Sequence, residues 1–343
     1  MNIIATVGPK TNEKWVIKEL IESGVDLLRL NCAHFNKEEF ESVINYVKSI
    51  DSGVHIILDL AGKKIRISEN LKYIYKVYNN QEVFFCGEDY YNRLSNKELG
   101  VKKYIPLNID EDKLKKSKIK NISIKDNTMN FQVLDVNNGI VRARVMRGGI
   151  IRGGKGCNIS DIYNDGKGIS EKDKDNISWA INNNLSTLCQ SFVETENDID
   201  DIRSFIRDKT GKNEFDIWGK VETLMGINNI DNIIEEIDTV IIGRGDLVAE
   251  VGSLNCVRLQ EKVIEIVKKK NKRVIVATHL LNSMKDGKLA TLPEIESIYR
   301  FINIGVDGFL LAGETSIGKA PIQTVKFLKS TIEYYQKDVK NNE

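Results

Sequence analysis

Phe215-Asp-Ile-Trp-Gly-Lys-Val-Glu222 and Ile237-Asp-Thr-Val-Ile-Ile-Gly-Arg-Gly-Asp246 decide how this chain is read. Each opens with an apolar run, Phe215–Val221 and Ile237–Gly243, of the length and composition of a buried strand. Parallel strands that finish in charged residues carry them to the rim of a sheet or barrel, where α/β enzymes do their chemistry. Glu222 and Asp246 offer hard oxygen ligands for Mg²⁺, and Lys220 can face an anion held by the same metal. The plainer alternative makes Arg244-Gly-Asp246 a loop and Lys220-Val-Glu222 a strand end.

Outward from these two runs, strands and amphipathic helices alternate. The strand candidates are Asn2–Val7, Val25–Leu30, Val54–Leu60, Ser186–Phe192, Phe215–Val221, Ile237–Gly243, Arg273–Thr278 and Val306–Leu311. Helical patterns between them include Glu13–Ser23, Lys37–Ile50, Glu171–Asn182, Glu196–Asp208, Cys256–Lys270, Pro293–Ile304 and Pro321–Tyr335. This β-then-α order predicts an α/β fold, a closed (β/α)₈ TIM barrel rather than an open sheet. One block breaks the rhythm: β-rich alternation at Asn121–Lys125, Phe131–Val136 and Ile140–Val145, a turn at Asn137-Asn-Gly139, and a glycine cluster. It reads as a small β domain inserted after the third strand, residues 68–159, in a barrel formed by 1–67 and 160–343. Ser170-Glu-Lys-Asp173 resembles a capping box that restarts the helical rhythm, a structural role.

The bulk numbers bound the partners. A net charge of +1 over 343 residues argues against nucleic acid or an acidic lipid surface, so any electropositive site must be local. No apolar run approaches a membrane span, and Met1–Pro9 lacks the basic and cleavage features of a signal peptide and reads as a first strand. Five scattered cysteines, never spaced CxxC, suit a reducing cytosol and give no metal pattern. His34 and His279 read as polar rim residues rather than bases.

Gly149-Ile-Ile-Arg-Gly-Gly-Lys155-Gly156 nearly fits a P-loop, but it has glycine where the Mg²⁺-binding hydroxyl belongs and follows hairpin sequence, so that reading fails. A glycine-rich loop presenting Lys155 to a phosphate and an ordinary hinge both stay open. Arg29 and Arg66 read as anion holders, with salt bridging as the alternative. The lysine-rich stretch Lys113–Lys120 reads as a solvated face. Two acidic metal ligands, a lysine and two arginines suit a multiply anionic, phosphorylated substrate. No Ser-His-Asp set and no dinucleotide motif compete, which leaves phosphoryl transfer as the leading class.

At this point the residues resemble pyruvate kinase over nearly the whole chain. Ala5–Pro9 is similar to the family's opening strand and turn, Arg29-Leu-Asn31-Cys-Ala-His34 to R-x-N-F-S-H, and Leu58-Asp59…Arg66 to L-D-T-K-G-P-E-I-R. Gly148-Gly149…Asn158 resembles the end of the family's inserted domain, Ser170–Asp173 its S-E-K-D, Lys220–Glu222 its K-I-E and Gly243–Leu247 its A-R-G-D-L. Ala277–Met284 is similar to A-T-Q-M-L-E-S-M and Leu311–Thr315 to L-S-G-E-T. The resemblance implies that Glu222 and Asp246 hold Mg²⁺, with Mn²⁺ an alternative, beside phosphoenolpyruvate. It implies that Lys220 neutralises the phosphoryl group in flight, and that Gly245, Asp246 and Thr278 take the substrate carboxylate. Lys220, Thr278 and Arg29 become the candidate catalytic residues. Arg29, Arg66, Lys155, Asn31 and His34 become the nucleotide-binding set, and closure of the inserted domain excludes water. It implies phosphoenolpyruvate or pyruvate and ADP or ATP as substrates, in the cytoplasm and in glycolysis; a homo-oligomer through the barrel stays open.

Four departures mark this chain. In the monovalent-cation site Asn31 and Asp59 survive, but a serine hydroxyl is lost at Ala33 and Leu60 has only its carbonyl to offer. Lys64 stands where K⁺-dependent members carry glutamate, so K⁺ is not expected to be required. Leu60–Lys63, His279 and Ala312 alter the substrate region, and the resemblance stops at the end of the barrel, so regulation by a sugar bisphosphate is not expected. Three rivals remain: a relative acting on another enolpyruvate or 2-keto acid, a metal-dependent aldolase or lyase, and a non-catalytic sensor of phosphoenolpyruvate. Retention of Lys220 argues against the sensor.

Overall fold

Eight apolar runs become eight parallel strands in the computed structural model, which describes residues 1–341 apart from 35, 51–52, 117, 126–127, 160–161, 163–168 and 213–214. The strands are Asn2–Thr6, Leu27–Asn31, His55–Leu60, Thr187–Gln190, Asp216–Val221, Thr239–Gly243, Arg273–Ala277 and Gly308–Leu311. They pair in chain order, and the barrel closes where Asn2 lies opposite Gly308. The expected helices surround them, among them Lys14–Glu22, Lys37–Ser49, Asn197–Thr210, Ser253–Lys269 and Pro321–Asn341. Two more, Leu224–Asn228 and Ile230–Glu236, join the fifth strand to the sixth. They are too short for an apolar period to stand out in sequence, and the Thr223 side chain caps the first by accepting from the Gly226 N–H.

Every strand contributes to an apolar plug inside the barrel. Ile4, Leu27, Ile57, Cys189, Trp218, Ile241, Ile275 and Leu310 pack there, one from each strand. Trp218 is the bulkiest and ties its indole N–H to Asp216 (2.7 Å). The barrel is thus a filled core and not a channel, and chemistry is confined to its ends.

Contact clustering divides the chain into two compact units. The barrel unit comprises Met1–Gly62, Gly168–Leu247 and Leu254–Glu343; the β unit comprises Lys63–Lys167 with Val248–Ser253. The exit from the barrel lies at Gly62, ahead of residue 68, because Ile65 and Ile67 are buried in the core of the β unit. Residue 160, the expected point of return, lies outside the described residues, as does residue 117 in the lysine-rich stretch.

The β unit is a six-stranded sheet joined by a two-stranded ribbon. Its long hairpin, Met129–Asn137 and Ile140–Arg147, turns at Asn138 and Gly139, both at positive φ (49° and 79°), as a two-residue primed turn requires. The segment Ile65–Ser68 runs between the two edges of this sheet. Ile67 donates to the Lys155 carbonyl (2.8 Å) on one side, and Ser68 donates to Pro106 (2.9 Å) on the other. Phe85 and Phe131 meet edge to face at 5.2 Å in the core behind it. No helix among the described residues is long and apolar enough to cross a membrane.

Candidate active site

Strand alternation places the site before any motif is invoked. Residues two positions further along a strand point to the same side, so the layer above the plug is fixed by the plug itself. Ile4 is followed by Thr6, Leu27 by Arg29, Ile57 by Asp59, Cys189 by Ser191, Trp218 by Lys220, Ile241 by Gly243, and Leu310 by Ala312. Five of the eight strands thus carry a charged and polar layer directly over the apolar one, at their C-terminal ends; the other three carry Gly243, Ala277 and Ala312 there.

Asp59 is the keystone of that layer. Arg29 grips it through Nε (2.6 Å) and Nη2 (2.5 Å) while its Nη1 donates to Thr6 Oγ1 (3.0 Å). The Lys220 ammonium lies 3.1 Å from the same carboxylate, and the Ser191 hydroxyl donates to its other oxygen (2.8 Å). Burial alone pushes Asp59 up, but Arg29 and Lys220 outweigh it and hold the carboxyl at about 2. Lys220 is also within 3.7 Å of Glu222. Burial alone would depress this ammonium; Asp59 and Glu222 reverse that and keep it above the ordinary lysine value. Two basic side chains thus face two acidic ones across the layer. Arg29 is engaged in the salt bridge that the sequence leaves as the alternative to anion binding.

Glu222 is only 3% exposed, and Phe192, itself at φ 55°, donates its N–H to it (3.1 Å). A Cβ on Gly243 would lie 2.5 Å from Glu222 Oε1, so glycine at this point lets the carboxylate sit against the end of the sixth strand. Asp246 lies in the first turn of the helix Arg244–Val251, at the positive end of its dipole. The Gly245 N–H donates to Thr278 Oγ1 (2.8 Å), and that hydroxyl donates to the Ala277 carbonyl (2.6 Å). Burial lowers Arg244 to about 10. Among the described residues no group of three or more His, Cys, Asp or Glu side chains gathers as a metal cage. Two carboxylates are still what Mg²⁺ needs from a protein, since it keeps several waters and takes substrate oxygens.

The remaining sequence candidates divide between the units. In the barrel unit, Asn31 accepts from the Ala33 N–H (3.1 Å), and His34 is exposed on the 3₁₀ turn Cys32–His34. In the β unit, Arg66 donates to the Gly154 carbonyl (3.2 Å). Lys155 is exposed beside it, on a turn that Gly154 makes at φ 73°. Lys64 lies in this unit too, where a Cβ on Gly156 would meet its ammonium at 3.0 Å. The glycine cluster leads from the strand Gly149–Ile151 into the strand Cys157–Ile159, with no helix to open, as rejection of a P-loop requires.

The model of the pyruvate kinase barrel domain matches residues 1–325. The chain belongs to the pyruvate kinase family. Pyruvate kinase 1 of Saccharomyces cerevisiae is 30% identical over 339 residues, which cover 96% of this chain and 66% of the yeast protein. The pyruvate kinase of Debaryomyces hansenii gives the same figures, and that of Thermoplasma acidophilum is 28% identical over 98% of this chain and 58% of its own length. The chain thus spans 58–66% of the length of these relatives.

Within the pyruvate kinase barrel, three features escape the motifs. Ser191 and Phe192 sit at the end of the fourth strand, which carries no charged signature, although their contacts to Asp59 and Glu222 fix the layer. Asp173, in the capping-box segment, does more than cap: it accepts from the Ala61 and Gly62 N–H groups (3.1 Å each) as well as from Ser170 Oγ (3.0 Å). Burial raises its pKa. Arg244 donates to two backbone carbonyls beyond the seventh strand. No local pattern announces such long-range partners.

Proposed function

We propose that this chain transfers a phosphoryl group between phosphoenolpyruvate and a nucleoside diphosphate, giving pyruvate and the triphosphate. The observation that carries this reading is the buried charge layer Arg29–Asp59–Lys220–Glu222 over the apolar plug. Glu222 and Asp246 would hold Mg²⁺, which when bound neutralises phosphate oxygens and orients the substrate. Lys220 supplies a permanent positive charge where the phosphoryl oxygens pass, and Asp59 with Glu222 keeps it protonated. The N-terminus of Arg244–Val251 and the Thr278 hydroxyl are assigned to the substrate carboxylate, the hydroxyl exchanging its bond to the Ala277 carbonyl for one to the substrate. Arg29 locks Asp59 in place, and in the β unit Arg66 and Lys155 are assigned to nucleotide phosphates.

Lys64 supports activity without K⁺, an ammonium taking over the charge of the monovalent ion. One assay tests the whole reading: phosphoenolpyruvate, ADP and Mg²⁺ are mixed with the protein, with and without K⁺, and pyruvate and ATP are followed. Turnover is expected under both conditions. Absence of turnover sinks the transferase and, if phosphoenolpyruvate still raises Tm, favours a sensor. A rise of orders of magnitude on adding K⁺ removes the role given to Lys64.

A further inference from the structure

The function proposed above gives Arg244 no task, yet its side chain is among the most constrained of the barrel unit. It is 8% exposed at the start of the helix Arg244–Val251. Its Nε and Nη2 donate to the Thr278 carbonyl (3.0 and 2.6 Å), and Nη2 also donates to the His279 carbonyl (2.7 Å). The Phe301 ring lies 5.1 Å from the guanidinium carbon. Buried Glu314, one of whose carboxylate oxygens has no hydrogen-bond partner, offsets the charge.

The segment that Arg244 grips is in an unfavourable conformation. Thr278 and His279 stand at φ 66° and 52°, and a β-branched residue there is an outlier that persists only where its surroundings over-determine it. Buried Leu280 and Leu281 anchor the far side of the segment. On the near side, the guanidinium fork holds the two successive carbonyls. The same twist brings Thr278 Oγ1 onto the Gly245 N–H (2.8 Å).

We propose that Arg244 is a positioning residue: it holds Thr278 and His279 in the left-handed turn, so that Thr278 Oγ1 stays on the Gly245 N–H and the start of the helix Arg244–Val251 is preorganised for the substrate carboxylate. The inference rests on the reading of that site given above. Arginine is required because a planar fork can serve two neighbouring carbonyls, whereas a lysine ammonium, equally charged, is a single point on a flexible stem. Loss of this preorganisation shows in substrate affinity more than in the chemical step, since it removes binding that ground and transition states share.

Arg244→Lys and Arg244→Met in the full chain are the test, alone and in a Thr278→Val background, with folding checked by circular dichroism and Tm. Arg244→Lys is expected to raise KM for phosphoenolpyruvate about tenfold while kcat and KM for ADP change less than about threefold. Added to Thr278→Val, it is expected to cost less than about twofold more, because both changes break the same contact. Amide exchange supplies a readout without substrate: Gly245 and the segment 278–281 should exchange at least about tenfold faster in Arg244→Lys, with the rest of the barrel unchanged. An unchanged KM for phosphoenolpyruvate, effects that multiply across the two backgrounds, or unaltered exchange at Gly245 would each overturn the proposal. If Arg244→Met does not fold, the lysine and valine variants decide. If the wild-type chain does not turn over phosphoenolpyruvate, the function fails while the exchange measurement still judges Arg244.

Discussion

A single carboxylate organises the charge layer of this barrel. Asp59 receives Arg29, Lys220 and Ser191 at once and is held at about 2. Its folded pKa lies below the ordinary aspartate value, so the stability it confers is fully present above about pH 4 and is lost as the pH falls toward 2. Denaturant titrations between these limits should show a loss of about 2 kcal/mol that Asp59→Asn lacks, since the amide cannot titrate. An equal slope in both proteins would remove Asp59 as its source. Lys220→Met is expected to lower turnover about 10³-fold, the scale of a lost transition-state contact, with the barrel still folded because Arg29 and Ser191 continue to hold Asp59. Near-normal turnover by a folded Lys220→Met protein would take the phosphoryl group away from this lysine.

At the scale of elements, the helix Glu171–Asn182 shows how a local motif acquires a non-local duty. Ser170 caps it by accepting from the Asp173 N–H, as the sequence pattern suggests. Asp173 then turns its carboxylate to Ala61 and Gly62, the last residues of the barrel unit before the β unit begins. One buried side chain therefore fixes both the end of the third strand's loop and the start of the fourth repeat. Asp173→Ala would leave two part-buried N–H groups without their acceptor, which costs about 2–4 kcal/mol and should appear as a lower urea midpoint at unchanged slope. A midpoint within experimental error of the wild type would show that water replaces the carboxylate there. Thr187–Gln190 makes the complementary point. It reads in sequence as an ordinary buried strand, and the side chain beyond its end, Ser191, matters only because Asp59 arrives from a segment more than a hundred residues away.

For the molecule as a whole, what is legible in sequence follows from range. The eight strands announce themselves because each is a short apolar run bounded by turn residues, and the closed barrel follows from their order. The polar ends of the fifth and sixth strands, with Lys220, Glu222 and Asp246 as candidates, stand out because charge abruptly follows an apolar run. Arg244 in the same motif is not legible as a backbone clamp, and Asp59 not as a keystone, because their partners come from other strands. The division into units yields one more prediction. Lys220, Glu222, Asp246, Gly245 and Thr278 all belong to the barrel unit, whereas Arg66 and Lys155 belong to the β unit, which has its own buried core. Replacing Lys63–Lys167 by a short Gly-Ser linker should leave a cooperatively folding barrel, because Asp173 already brings Gly62 to the start of the helix Glu171–Asn182. That barrel is expected to keep phosphoenolpyruvate binding in the presence of Mg²⁺, read as a rise in Tm, within about tenfold of the full chain. Its ATP formation should fall by about 10³-fold or more, since the charges assigned to the nucleotide phosphates leave with the β unit. A barrel that folds yet loses phosphoenolpyruvate binding would move the substrate site away from the strand ends; one that keeps ATP formation would remove the nucleotide role from Arg66 and Lys155.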